Sequence, residues 1–143
     1  LEKSLQNLNK AIELKRDYSP AHYLIALVYQ QQGKSDEAVA KLEETKRVAP
    51  NDIGLALQLG VIYYQKDQLA KAQAELERAK ILNVNYTNAR YMLGLVYDKQ
   101  GRKDRAIEEF SKVLQLDAGN EQVKKILDNL NNNKPALEGI PPS

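Results

Sequence analysis

The sequence predicts an all-α chain of antiparallel helix pairs stacked side by side, on three observations. The chain matches itself when shifted by 34 residues. Within each period, apolar residues recur at helical spacing. Once per period, glycine or aspartate breaks the pattern between two helix-length segments.

The columns carry the repeat. Tyr29, Tyr63 and Tyr97 fall in step, as do Ala38, Ala72 and Ala106. Small residues recur at Ala26, Gly60 and Gly94, and bulky ones at Leu8, Leu42, Leu76 and Phe110. Leu14, Val48, Leu82 and Leu116 form another column, and Ala11, Thr45, Ala79 and Val113 a less uniform one. The small columns imply close helix–helix contact, because axes approach to about 8 Å only where bulk is missing.

In chain order, 1–18 reads as the second helix of a truncated repeat, with Leu1, Leu5, Leu8 and Ile12 on one stripe. With no initiator Met and no first-helix partner, the chain is expected to be cut from a longer protein. Full repeats follow at 19–52, 53–86 and 87–120. Ser19-Pro20 is a helix start, and Ser35 is the expected cap of the next helix. Gly33 and Gly101 suit a left-handed turn, and Asp67 tolerates it. Glu37–Lys41, Glu43–Arg47 and Glu108–Lys112 are expected i,i+4 pairs on solvated faces. Val123, Ile126, Leu127 and Leu130 form the apolar stripe of a capping helix over 121–132. The polar, Pro-containing 133–143 reads as a flexible tail.

Composition removes most chemistry. There are 21 basic and 19 acidic residues in 143, a net of +2, which gives little attraction for nucleic acid. Cysteine is absent and His22 is the one histidine, so thiolate sites and multi-histidine metal centres are excluded. No phosphate loop, nucleophile elbow or zinc-protease motif occurs. The carboxylates are expected on outer faces beside Lys and Arg, with no acid–base dyad. No apolar run is long enough to span a membrane. No catalytic residue, cofactor or metal is therefore expected. The lack of cysteine suits cytoplasm or periplasm alike, with the cytoplasm taken as the default.

The columns Leu93-Gly94, Tyr97, Gly101, Ala106, Phe110 and Val113 resemble the tetratricopeptide repeat signature, whose period is also 34 residues. The resemblance covers residues 1 to about 120. It implies an all-α, right-handed superhelical solenoid of antiparallel helix pairs. There are departures: His22, Ala56 and Arg90 stand where the family often has Trp, and of the inter-repeat prolines only Pro50 is present.

The resemblance also implies a concave groove lined by the first helix of each repeat. Its expected residues are Tyr23, Leu27, Gln30 and Gln31; Leu57, Val61, Tyr64 and Gln65; and Asn88, Tyr91, Leu95, Asp98 and Lys99, with Tyr86 at the rim. The floor is aromatic and aliphatic, and the edge is rich in carboxamides. Tyrosine offers large contact area with few rotors. Gln and Asn donate and accept, so they can pair with a peptide main chain. The expected function is a non-catalytic scaffold that binds a peptide or helix of another protein in this groove. The alternatives are self-assembly through the stripe of 1–18, or an accessory segment of a larger envelope or glycosyltransferase-type protein. Chaperone-binding members clamp a C-terminal carboxylate with basic residues. The equivalent places here are Tyr23, Leu27, Gln58, Asn88 and Met92, none of them basic, so tight binding of acidic tails is not expected.

Overall fold

A computed structural model describes the backbone of residues 2–14 and 19–141 and the side chains of 2–9 and 24–141. The described residues form eight helices and no strand: α1 (Glu2–Leu14), α2 (Ser19–Gln31), α3 (Ser35–Val48), α4 (Ile53–Gln65), α5 (Leu69–Leu82), α6 (Thr87–Lys99), α7 (Lys103–Leu116) and α8 (Glu121–Asn131). The main pairs are α2 with α3, α4 with α5, and α6 with α7. Each second helix also touches the next first helix, α4 touches α6, and α1 packs on α2. This is the predicted all-α solenoid of helix pairs.

The turns inside the pairs repeat one device. Gly33, Asp67 and Gly101 have φ of 73°, 60° and 74°, the left-handed conformation that stops a helix. The next amide then reaches back: Lys34 N to Tyr29 O, Gln68 N to Tyr63 O, and Arg102 N to Tyr97 O, each at 2.8 Å. Asn133, with φ 58°, ends α8 in the same way, through Lys134 N to Asn129 O at 2.8 Å. Asp52 caps α4 by accepting from Leu55 N at 3.1 Å, and Asn120 caps α8 by accepting from Val123 N at 3.0 Å. Ser35 is not the cap of α3. It is the first helical residue, the cap is Lys34, and no side-chain bond forms there. Ser19 and His22 have side chains outside the described set.

The small columns do what close packing requires. A Cβ built on Gly60 would sit 2.5 Å from the Leu76 side chain, and one on Gly94 would sit 2.6 Å from the Phe110 ring. Ala38, Ala72 and Ala106 are fully buried opposite, with Leu42, Leu76 and Phe110 filling the volume around them. Thr45 is fully buried in an otherwise apolar column, and its hydroxyl is satisfied by Lys41 O at 2.8 Å. The column Val48, Leu82 and Leu116 stays exposed. Ala56, at one of the tryptophan places, packs with Ala79 and Ala89 in a small cluster of its own.

Charge joins the pairs in a way the sequence reading placed elsewhere. Glu75 and Glu109 are not on outer faces; they are 6% and 3% exposed. Lys46 Nζ lies 2.6 Å from Glu75, and Lys80 Nζ lies 2.8 Å from Glu109, each reaching from one second helix to the next. A guanidinium completes each site. Arg78 pairs with Glu75 at 2.9 Å and donates to Pro50 O; Arg90 pairs with Glu109 at 3.0 Å and donates to Val84 O at 2.8 Å. Buried carboxylates need such partners, because an isolated charge away from water is costly. The tyrosine column is tied in too: Tyr63 OH donates to Glu43 at 2.8 Å, and Tyr97 OH donates to Glu77 at 2.5 Å. On the helix surfaces, Lys41 pairs with Glu44, Lys46 with Glu43 and Arg105 with Glu108, so i,i+3 geometry replaces the expected i,i+4 pairs.

Residues 134–141, part of the expected flexible tail, have a described path against the stack. Two consecutive turns form, with Glu138 N to Pro135 O at 3.1 Å and Ile140 N to Leu137 O at 3.0 Å. Ala136 is fully buried in the main core. The reason is a set of polar contacts described below, which no local pattern announces.

Candidate peptide-binding groove

The first helices α2, α4 and α6 carry the predicted groove residues, except that Tyr86 at the rim is the N-cap of α6. Their register follows from the common turn, which restarts each period at the same phase. The residues fall into three local settings, and Tyr23 lies among side chains outside the described set.

At the N-terminal end, Leu27 and Gln31 line a cleft of about 460 Å³ with Ser4, Asn7, Leu8, Leu24 and Val28. Gln31 is exposed and Leu27 partly so. Gln30 accepts from Gln58 Nε2 at 3.3 Å, which joins the first helices of two repeats through paired carboxamides.

In the middle, Leu57, Val61 and Tyr64 are partly buried, and Gln65 is exposed. Lys99 Nζ stands 4.4 Å above the centre of the Tyr64 ring, a cation–π contact between repeats. Burial raises the Tyr64 pKa, and the charge of Asp98 raises it further. Tyr64, Tyr91 and Asp98 are thus electrostatic neighbours on one stretch of the first-helix face.

Toward the C-terminus, Tyr91 is half-buried, meets Phe110 edge-on with ring centres 5.7 Å apart, and accepts at its hydroxyl from Gln122 Nε2 at 3.0 Å. Burial raises its pKa. Asn88 is exposed and shares a shallow recess of about 230 Å³ with Tyr91, Thr87, Val113, Asn120 and Gln122. Leu95 is the exception among the predicted floor residues. It is 6% exposed and belongs to the core, so it offers no surface to a ligand. Asp98 is also occupied: its carboxylate accepts from Ala136 N at 3.2 Å.

Two site residues, Gln122 and Asn129, escaped the sequence reading, and Gln58 figures there only as a place without a cation. Gln58 is almost buried under Gln30, and Gln122 holds the Tyr91 hydroxyl. Asn129 continues the Leu27, Val61, Leu95 series by one more period. A carboxamide in an apolar column was the one available sign of it.

Among the described residues no group of acidic or histidine side chains could hold a metal ion, and no helix is long and apolar enough to cross a membrane. What the face offers is aromatic area, aliphatic area and amide hydrogen bonding.

Known proteins share the fold. A tetratricopeptide repeat family model matches residues 23–85 and 57–121, and a further TPR repeat model matches 1–33. The chain belongs to the tetratricopeptide repeat family. This is in general a non-catalytic protein-interaction fold. No curated protein matches the chain. Among solved structures, MamA is 23% identical, with a TM-score of 0.83 over 94% of this chain and 81% of that one. YrrB, described as a TPR protein with an unusual peptide-binding site, is 28% identical, with a TM-score of 0.79 over 96% and 73%. The first TPR domain of Spaghetti (RPAP3), bound to the HSP90 peptide SRMEEVD, is 22% identical, with a TM-score of 0.76 over 80% and 91%.

Proposed function

We propose that this tetratricopeptide chain is a non-catalytic scaffold that holds a peptide or helix of another protein against the first-helix face. The observation that carries the reading is the middle of that face. Leu57, Val61 and Tyr64 lie partly open beside exposed Gln65 and Lys99, with Tyr91 and Asn88 adjoining. Apolar floor and carboxamide edge together suit a segment that buries side chains and still satisfies its main chain. Two structures of the same fold, YrrB with its peptide-binding site and the Spaghetti domain bound to a peptide, support a peptide as the partner. An acidic C-terminal tail is not the favoured ligand, because Leu27, Gln58, Asn88 and Met92 supply no cation where a carboxylate would arrive.

Selection from a displayed peptide library tests the reading. Peptides retained by the unaltered chain lose at least ten-fold in affinity on Leu57→Ala or Tyr91→Ala, with helicity by circular dichroism unchanged. SRMEEVD binds no better than a scrambled control. Selected peptides indifferent to both substitutions sink the groove assignment, and loss of helicity moves the residues to the core.

Self-assembly is a second reading, favoured by the α1/α2 cleft with Leu24 46% exposed beside it. Light scattering across a concentration series decides it, with a dimer lost on Leu24→Glu as the expected result.

A further inference from the structure

The segment 134–140 is held by its main chain rather than by its side chains. Asn129 Nδ2 donates to Ala136 O at 2.9 Å and to Glu138 O at 2.9 Å. The Ala136 amide donates to the Asp98 carboxylate at 3.2 Å. Asn129 is itself 2% exposed, so a buried carboxamide spends both its protons on one short piece of backbone. Ala136 is fully buried, while Pro135, Leu137 and Glu138 stay exposed and Ile140 is partly covered. Asp98 is a groove position, and Asn129 lies one period beyond Leu95. These contacts are of the kind expected between the groove's polar residues and a bound partner.

We propose that Asp98 and Asn129 form a main-chain-reading subsite at the C-terminal end of the groove, and that residues 135–140 are its resident occupant. The ligand class follows from the contacts. It is a proline-led double turn with a small residue at the second position, because the Ala136 side chain has no room to grow. A glycine four residues after the proline supplies the left-handed turn, as Gly139 does with φ 72°. A segment of that type from another protein would displace the strap and take over the same hydrogen bonds. The proposal rests on the groove reading only in treating the first-helix face as the binding side.

Two measurements on the full chain test it. The first is amide hydrogen exchange in the unaltered protein. Ala136, Glu138 and Ile140 amides exchange at least 100-fold more slowly than in the free peptide, and Asp98→Ala speeds Ala136 more than ten-fold. Exchange at the free-peptide rate overturns the proposal. The second uses a labelled peptide of residues 134–141, Lys-Pro-Ala-Leu-Glu-Gly-Ile-Pro. Ala136→Asp sets a second carboxylate against Asp98 and frees the strap. The variant then takes up the peptide at least ten-fold more tightly than the unaltered chain, and adding Asp98→Ala removes the uptake. Slow exchange without uptake overturns the proposal, and so does loss of α8 helicity in Ala136→Asp. Either result makes the strap part of the core instead of a replaceable ligand. A library selection indifferent to Leu57 and Tyr91 would sink the groove reading while leaving both of these measurements unchanged.

Discussion

The first and last described helices, α1 and α8, are covered differently. α8 packs on α7. Its apolar residues Val123, Ile126 and Leu130 are at most 1% exposed, because α7 covers one side and the strap another. Among the described helices α1 packs on α2. Leu5 and Leu8 are only partly covered, and the cleft between α1 and α2 stays open. A helix in a solenoid needs neighbours on two sides to bury its stripe. The strap supplies the second neighbour cheaply, with three hydrogen bonds and one buried methyl group. Nothing described supplies it for α1.

The largest test of that contrast uses one column. Phe110→Ala removes a fully buried ring from the closed end and costs about 3–5 kcal/mol, read by urea unfolding. Leu8→Ala, at the same column beside the open cleft, costs less, about 1–2 kcal/mol, since Leu8 is only partly buried. Equal losses would mean that the open cleft is closed in solution.

Glu109→Gln comes next. It leaves Lys80 and Arg90 facing each other without their carboxylate, and costs about 2 kcal/mol. Hydrogen exchange should rise in α5 to α7 and not in α1. Ala72→Leu crowds the α4/α5 contact and costs about 1–3 kcal/mol at mid-stack, without preference for either end.

Alkali has a smaller effect, confined to the middle and closed regions. The hydrogen bond with Glu75 raises the Lys46 pKa above 10.5. For Lys80, burial opposes the charge, but Glu109 outweighs it and the pKa is again raised. Burial raises the Tyr63 and Tyr97 pKa above 10.0, helped by Glu43 and Glu77. For lysine and tyrosine alike, a raised folded-state pKa favours the protonated form. The stabilisation is complete below the unfolded pKa and fades as pH climbs toward the folded one. Melting temperatures should hold steady to about pH 10 and fall above it. A flat profile to pH 11.5 would contradict these lysine and tyrosine contacts. The smallest effect is that of Lys99→Ala, about 0.5 kcal/mol, because the ammonium over Tyr64 is largely exposed.

Much of the fold was legible in the residues. The turn at Asp67 was readable because Gly33 and Gly101 fix the phase of that position. The close contact at Gly60 and Gly94 was readable because a small residue faces a large one in every period. The groove was legible in outline only. Leu57, Val61 and Leu95 look alike in sequence, yet Leu95 is buried and the other two are not. The difference lies in what covers each of them, and α8 with its strap covers the C-terminal end alone.

By itself the sequence determined the period, the helix pairs, their turns and the apolar side of each helix. These depend on spacing and local backbone preference, which act over a few residues. Tertiary structure alone decided which carboxylates go inside and where the last residues rest. Lys80 meets Glu109 across 29 positions, and the Ala136 amide meets Asp98 across 38. The lysine and glutamate of the first bridge recur 34 residues apart, as Lys46 and Lys80 and as Glu75 and Glu109, but spacing alone does not say that the acids face inward. Glu109 looks like any surface acid until two cations are brought to it, and 134–140 looks like a polar tail until a buried asparagine takes hold of its backbone.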